Sequence, residues 1–291
     1  MFGLGTEAAL HAFQEGRGLR ADGACDELTW VALVEASWEL GDRHLYLRNP
    51  PYIRGDDVAE LQRILGQLGF DAGRVDGIFG TATGRALAEF QANTGLPSDG
   101  VCGYETFDAL RRVGTRVADR PSVAEVREEE ALRGLTPRLN RKRVALGCFG
   151  GLDRLSRTLG RQLRSAGASV AELDHADGSA QAASANRFGA DVYLGIAAAD
   201  SCTVSYYQVP GFESVGGRRL ATLVCERLFV LGLEPSDARG MRLAVLRETR
   251  MPAVLCELGP VQPIAERAGA VADALAHAVR EWVEGPIESP V

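Results

Sequence analysis

The sequence predicts small all-α three-helix modules followed by an α/β domain with a mostly parallel sheet. Three observations carry that prediction. The N-terminal part repeats itself at an offset of 77 residues, with helix-period apolar spacing broken by Asp-Gly turns. A stretch bearing prolines and a charge run, residues 114–142, interrupts the pattern. From Val144 onward, short apolar runs alternate with amphipathic helices, as in a sheet linked by crossover helices. The expected division is a partial module at 1–40, a whole one at 41–113, a linker at 114–142, the α/β domain at 143–285 and a tail at 286–291.

The second module is complete. Asp56 is the expected N-cap of its first helix, Val58, Leu61, Leu65 and Leu68 share one face, and Gly69 is the stop. Asp76-Gly77 turns the chain into a second helix with Ala86, Leu87 and Phe90, and Asp99-Gly100 into a third with Phe107 and Leu110. The first copy matches from Phe2-Gly3 (Phe79-Gly80) through Phe13-Gln14 (Phe90-Gln91), Asp22-Gly23 (Asp99-Gly100), Cys25 (Cys102) and Thr29 (Thr106). It lacks the opening helix, about 20 residues by that register. The expectation is that the native chain begins further upstream, or that the half-module leans on its neighbour.

In the linker, Arg127-Glu128-Glu129-Glu130 reads as a solvated charge run, with a short helix from Glu128 to Arg133. The α/β domain opens with the strand Val144-Ala145-Leu146, then Gly147-Cys148-Phe149-Gly150-Gly151, then a helix with Leu152, Leu155, Leu159 and Leu163 on one face. Strands follow at Ser169–Leu173, Asp191–Ile196, Val204–Tyr207, Met241–Leu246 and Ala253–Cys256, with helices at 179–189, 214–231 and 264–283.

The 291 residues, 46% of them hydrophobic, suffice for two cores. A net charge of −7 argues against nucleic acid or an anionic membrane as main partner, and no apolar run approaches bilayer length, so no direct membrane insertion is expected. Lys142 is the only lysine, so arginine supplies the positive charge. Six cysteines contain no CxxC pair and sit mostly among apolar neighbours, which favours a reducing compartment.

The modules resemble the peptidoglycan-binding domain family. The likeness rests on Asp76-Gly77-Ile78-Phe79-Gly80, Thr83, Phe90-Gln91, Gly95-Leu96, Asp99-Gly100 and Thr106. It implies affinity for cell-wall glycopeptide or muropeptide fragments. Read from the residues alone, the same positions are turns, caps and core.

Residues 143–284 resemble the type 3 N-acetylmuramoyl-L-alanine amidases, most specifically at Pro252-Ala253-Val254-Leu255-Cys256-Glu257-Leu258-Gly259. Active members of that family hold zinc with three protein ligands, and a glutamate assists the attacking water. The resemblance puts the first ligand, a histidine before two glycines, at Phe149, and the third, another histidine, at Ala197. The loop leading to the second ligand, a glutamate, is missing, and Asp153 is the nearest acid. Glu257 occupies the acid–base position. Neither phenyl nor methyl can donate to a metal, so no cofactor is expected, with zinc expected only for an active amidase. Glu257 could instead cap a helix or pair with an arginine such as Arg247.

The whole arrangement resembles the actinobacterial CwlM-type cell-wall regulators. It implies a cytoplasmic, non-catalytic regulator acting on a peptidoglycan precursor enzyme or a lipid-linked precursor flippase. The phosphate-accepting tail of such proteins is absent, leaving Ser289 as candidate. Three rival chemistries can be drawn: a Cys148/His175/Glu257 hydrolase, a Cys148/Cys256/His175 metal site, and a phosphate cradle at Gly147–Gly151. His11, His44 and His277 have no partners at ligand spacing.

Overall fold

The computed structural model describes residues 3–114, 123–233, 235 and 237–287. Ser289 and Pro121 lie outside them. The chain forms two compact units, one of residues up to Arg127 with Val209–Phe212, the other of Glu128–Gln208 with Glu213–Val291.

The first unit is helical: α1 (Leu4–Gly16), α2 (Glu27–Ala36), α3 (Asp56–Gln67), α4 (Thr81–Thr94), α5 (Tyr104–Gly114) and the start of α6 (Val123–Arg133). Its core is that of the second module, where Val58, Leu61 and Leu65 of α3 meet Leu87 and Phe90 of α4 and Leu110 of α5. Two bridges, Leu45 with Cys102 and Arg54 with Ile78, tie the preceding segment to it. The N-cap of α3 is Gly55, one residue before the expected Asp56. Asp57 explains the shift: its carboxylate accepts from the Val58 amide and a bidentate pair from Arg43, while Asp56 pairs with Arg17. The first copy shows α1 and α2, the counterparts of α4 and α5.

The second unit is α/β: β1 (Arg143–Cys148), α7 (Asp153–Ser165), β2 (Ser169–Asp174), α8 (Gly178–Phe188), β3 (Val192–Ala198), β4 (Thr203–Val209), β5 (Phe212–Glu213), α9 (Val215–Val230), β6 (Arg239–Met241), α10 (Ala244–Glu248), β7 (Ala253–Leu258), α11 (Val261–Glu266) and α12 (Ala268–Glu284). The sheet order is β2-β1-β3-β7-β4-β5, with β6 also pairing β4. Strands β2, β1, β3 and β7 run parallel, and β4 runs antiparallel to β7. Buried runs such as Val-Tyr-Leu-Gly-Ile in β3 fit strands covered on both faces. The core packs the Leu155, Leu159 and Leu163 stripe of α7 and the Leu220–Leu228 face of α9 against α12, whose Trp282 indole donates to the Gly216 carbonyl at 2.9 Å. Helices α8 and α10 pack together.

Three expectations are corrected. The predicted strand Met241–Leu246 is only β6, ending at Met241, and then helix α10. Val245 and Leu246 are buried, and Asn186 secures the far end by donating to the Glu248 carbonyl and accepting from the Arg250 amide. A short apolar run has no periodicity to separate strand from helix. The last helix, expected as one from 264 to 283, is divided at Arg267 into α11 and α12. The charge run is not all solvated: Glu128 accepts from the Ser214 hydroxyl (2.6 Å) and the Gly216 amide (3.2 Å), so it caps α9.

Candidate functional site

The carboxyl ends of parallel strands are where an α/β sheet exposes its crevice. Strand β1 ends at Cys148, and the next amide, Phe149, donates to the Ile196 carbonyl at 3.0 Å, continuing the ladder with β3. Ala197 of β3 stands opposite Glu257 of β7. Phe149, Ala197 and Glu257 therefore form one row across three neighbouring strands, each step about 4.8 Å. All three are half-buried. Thr203 of β4 is also opposite Glu257, and its hydroxyl donates to Glu257 Oε2 at 3.4 Å. The glutamate's contact is thus with a threonine on the adjacent strand, a residue that sequence reasoning missed because β4 runs antiparallel.

The turn after Phe149 is short. Gly150 and Gly151 hold φ of 90° and 80°, and α7 starts at Asp153. A Cβ on Gly151 would sit 2.5 Å from that of Ala198, so the turn lies hard against the end of β3. The row offers a phenyl, a methyl and one carboxylate. A catalytic zinc needs three protein ligands and an open position, and this donor set does not fit it. Among the described residues, no group of three or more His, Cys, Asp or Glu side chains is placed to hold a metal.

The rival constellations also come apart. His175 follows β2, and Glu257 lies on β7, three strands away, or roughly 14 Å of sheet. Burial pushes the Cys148 thiol above its ordinary pKa, with a Ser156 hydrogen bond opposing, the reverse of the shift that activates a cysteine. Cys256 is fully buried and its thiol is driven far higher by the same desolvation. The Gly147–Gly151 turn matches neither the phosphate-binding loop nor the dinucleotide-binding glycine pattern. Gly147 is instead demanded by packing, since a Cβ there would fall 1.9 Å from the Tyr193 hydroxyl. That hydroxyl donates to Gln181 Oε1 at 2.7 Å, and Gln181 Nε2 donates to the Cys148 carbonyl at 3.1 Å.

In the first unit the motif residues form a clasp. Gln91 Nε2 donates to Asp99 Oδ1 (2.8 Å), the Val101 carbonyl (3.0 Å) and Thr106 Oγ1 (3.1 Å), while its Oε1 accepts from the Gly100 amide (2.9 Å). Gln14 repeats it in the first copy, with Asp22, the Ala24 carbonyl, Thr29 and the Gly23 amide. Gln62 makes a third, with Asp76, the Ile78 carbonyl, Thr83 and the Gly77 amide. Gly23, Gly77 and Gly100 share φ of 72°, 68° and 69°, the left-handed turn that glycine adopts without strain. The Val101 amide, then Gln91, hold the Asp99 carboxyl below its usual range, and the Ala24 amide and Gln14 act likewise on Asp22. Phe79 and Phe90 are buried in the core, and Gly80 is the N-cap of α4. Asp76, Gly77, Phe79, Gly80, Phe90, Gln91, Asp99 and Gly100 thus build the module. The third clasp was hidden in the sequence because Gln62 and Asp76 are 14 residues apart, against 8 in the other two.

Residues 1–33 and 54–110 match the family model for the peptidoglycan binding domain. The N-acetylmuramoyl-L-alanine amidase CwlM of Mycobacterium tuberculosis is 32% identical over 316 aligned residues, covering 97% of this chain and 78% of its own. A spore cortex-lytic enzyme of Bacillus cereus is 52% identical over 56 residues, 19% of this chain and 22% of its own. Among solved structures, the amidase Ami1 of Mycobacterium smegmatis aligns with 50% of this chain and 98% of its own, at 15% identity and a TM-score of 0.44. With the CwlM likeness spanning nearly all of its length, the chain belongs to the CwlM family of N-acetylmuramoyl-L-alanine amidase relatives, peptidoglycan-related proteins, and carries the peptidoglycan binding domain at its N-terminal end.

Proposed function

We propose that this chain is a catalytically inactive amidase-family protein that regulates peptidoglycan synthesis by recognition. It binds wall fragments, or proteins of precursor synthesis such as a precursor enzyme or a lipid-linked precursor flippase. It works without zinc and in the cytoplasm. The observation that carries the reading is the row Phe149, Ala197 and Glu257, where one carboxylate stands without a companion donor. A phenyl, a methyl and one carboxylate do not make a three-ligand zinc site, so this row offers no means of lowering the pKa of a water or polarising an amide carbonyl through zinc. The cytoplasmic setting is supported by six cysteines with no CxxC pair among them, of which Cys25 is exposed.

A second reading is an active amidase that cleaves the amide between muramic acid and the stem peptide. Glu257, at the acid–base position, favours it, as does the amidase name of the mycobacterial relative. Incubating purified protein with wall sacculi, beside an active amidase, separates the two. The regulator reading expects retention on the sacculi and no released stem peptide. Steady release above a Glu257→Gln control supports the amidase and overturns it.

A further inference from the structure

Helix α7 has an inner face used up by packing and an outer face that is not. Leu155, Leu159 and Leu163 are buried in the core of the second unit. The outer side carries Arg154, Arg157, Arg161 and Arg164, all exposed. They line a groove of about 990 Å³ that Ala265 of α11 and Gly269 of α12 also line. That volume is at the upper end of small-ligand sites. A Cβ on Gly269 would meet nothing within 4 Å, so small residues leave the approach to the arginines clear.

The four arginines differ from the other charges on this chain's helices. Residues three and four apart are helix neighbours, and like charges there are destabilising. Arg154 and Arg157, Arg157 and Arg161, and Arg161 and Arg164 all have that spacing. Other helices put an acid at it: Glu60 with Arg63, Asp108 with Arg111, Glu129 with Arg133. On α7 only Arg164 meets a carboxylate, that of Glu172 on β2, at 2.7 Å. Among the described residues no carboxylate pairs with Arg154, Arg157 or Arg161, and Arg161 donates only to the Thr158 hydroxyl, at 3.3 Å. With Arg164 set against Glu172, three arginines face one lining acid, Asp153, in a chain whose net charge is −7.

The spacing selects the occupant. A helix rises about 1.5 Å per residue, so Arg154 and Arg161 stand roughly 10 Å apart along α7. A single phosphate or carboxylate engages one or two adjacent guanidinium forks. A row of three asks for a row of anions. In an extended peptide, alternate side chains share a face about 7 Å apart, so acids at alternate positions follow the row. A lipid surface is a poor match, because the outer face of α7 carries no large apolar side chain to enter it. A single-stranded nucleic acid is a poor match too, because no aromatic ring lines the groove for bases to stack on.

We infer that the α7 groove docks an extended acidic segment of a partner protein. The inference is independent of the Phe149 row, since it holds for a regulator and for a hydrolase alike. The full chain is titrated by fluorescence anisotropy with a labelled peptide of alternating glutamate and alanine, its glutamine–alanine counterpart and a labelled oligothymidylate. Its cosedimentation with phosphatidylglycerol vesicles is measured alongside. The glutamate peptide is expected to bind, the glutamine peptide not to, and the affinity to fall with added salt. Arg157→Gln combined with Arg161→Gln weakens binding about tenfold or more, while Arg133→Gln on α6 leaves it unchanged. The double variant unfolds at the parent's temperature or slightly above it, because like charges leave α7. Failure of the parent to bind the glutamate peptide overturns the inference, as does equal binding by parent and double variant. Tighter binding of the oligothymidylate, or vesicle binding that the double variant loses, gives the groove to another class of partner and overturns it as well.

Discussion

Gln91 shows how one side chain holds a module. It is 1% exposed and engages four partners through both ends of its amide. Leucine at this position keeps the volume and loses every bond, leaving the Gly100 amide and Thr106 without their buried partner. Gln91→Leu is expected to destabilise the first unit by about 2–3 kcal/mol, read as a lower urea midpoint with unchanged slope. A midpoint within error of the parent would show that the clasp is incidental. The clasp was half legible in the sequence. Phe13-Gln14, Asp22-Gly23 and Thr29 recur at one offset, so the residues were visible, yet their bonds were not, and Gln62 escaped because its spacing differs.

Elements were legible where periodicity was long. The Leu152–Leu163 stripe of α7 and the buried run of β3 stand in their expected places. What failed was short or non-local. Helix α10 has five residues, too few for a period to speak. The Glu128 cap joins residues 86 and 88 apart in sequence, so the charge run gave no sign of it. Glu128→Ala removes the acceptor for the Ser214 hydroxyl and the Gly216 amide. It is expected to cost the second unit about 1 kcal/mol in denaturant unfolding, with Glu129→Ala, whose partner is an exposed Arg133, near neutral. Equal effects of the two would contradict the capping role.

At the scale of the whole molecule, family and architecture were legible because the repeat, the turns and the Ala253–Gly259 stretch are contiguous in sequence. The site was legible only as positions. That Phe149, Ala197 and Glu257 share one row follows from the β1-β3-β7 order, which joins segments about a hundred residues apart. The most direct test of the account is calorimetric titration of the metal-free chain with zinc at neutral pH, with an active amidase alongside. The account predicts no saturable heat and no retained metal after dialysis. One zinc per chain, lost on Glu257→Gln, would contradict it.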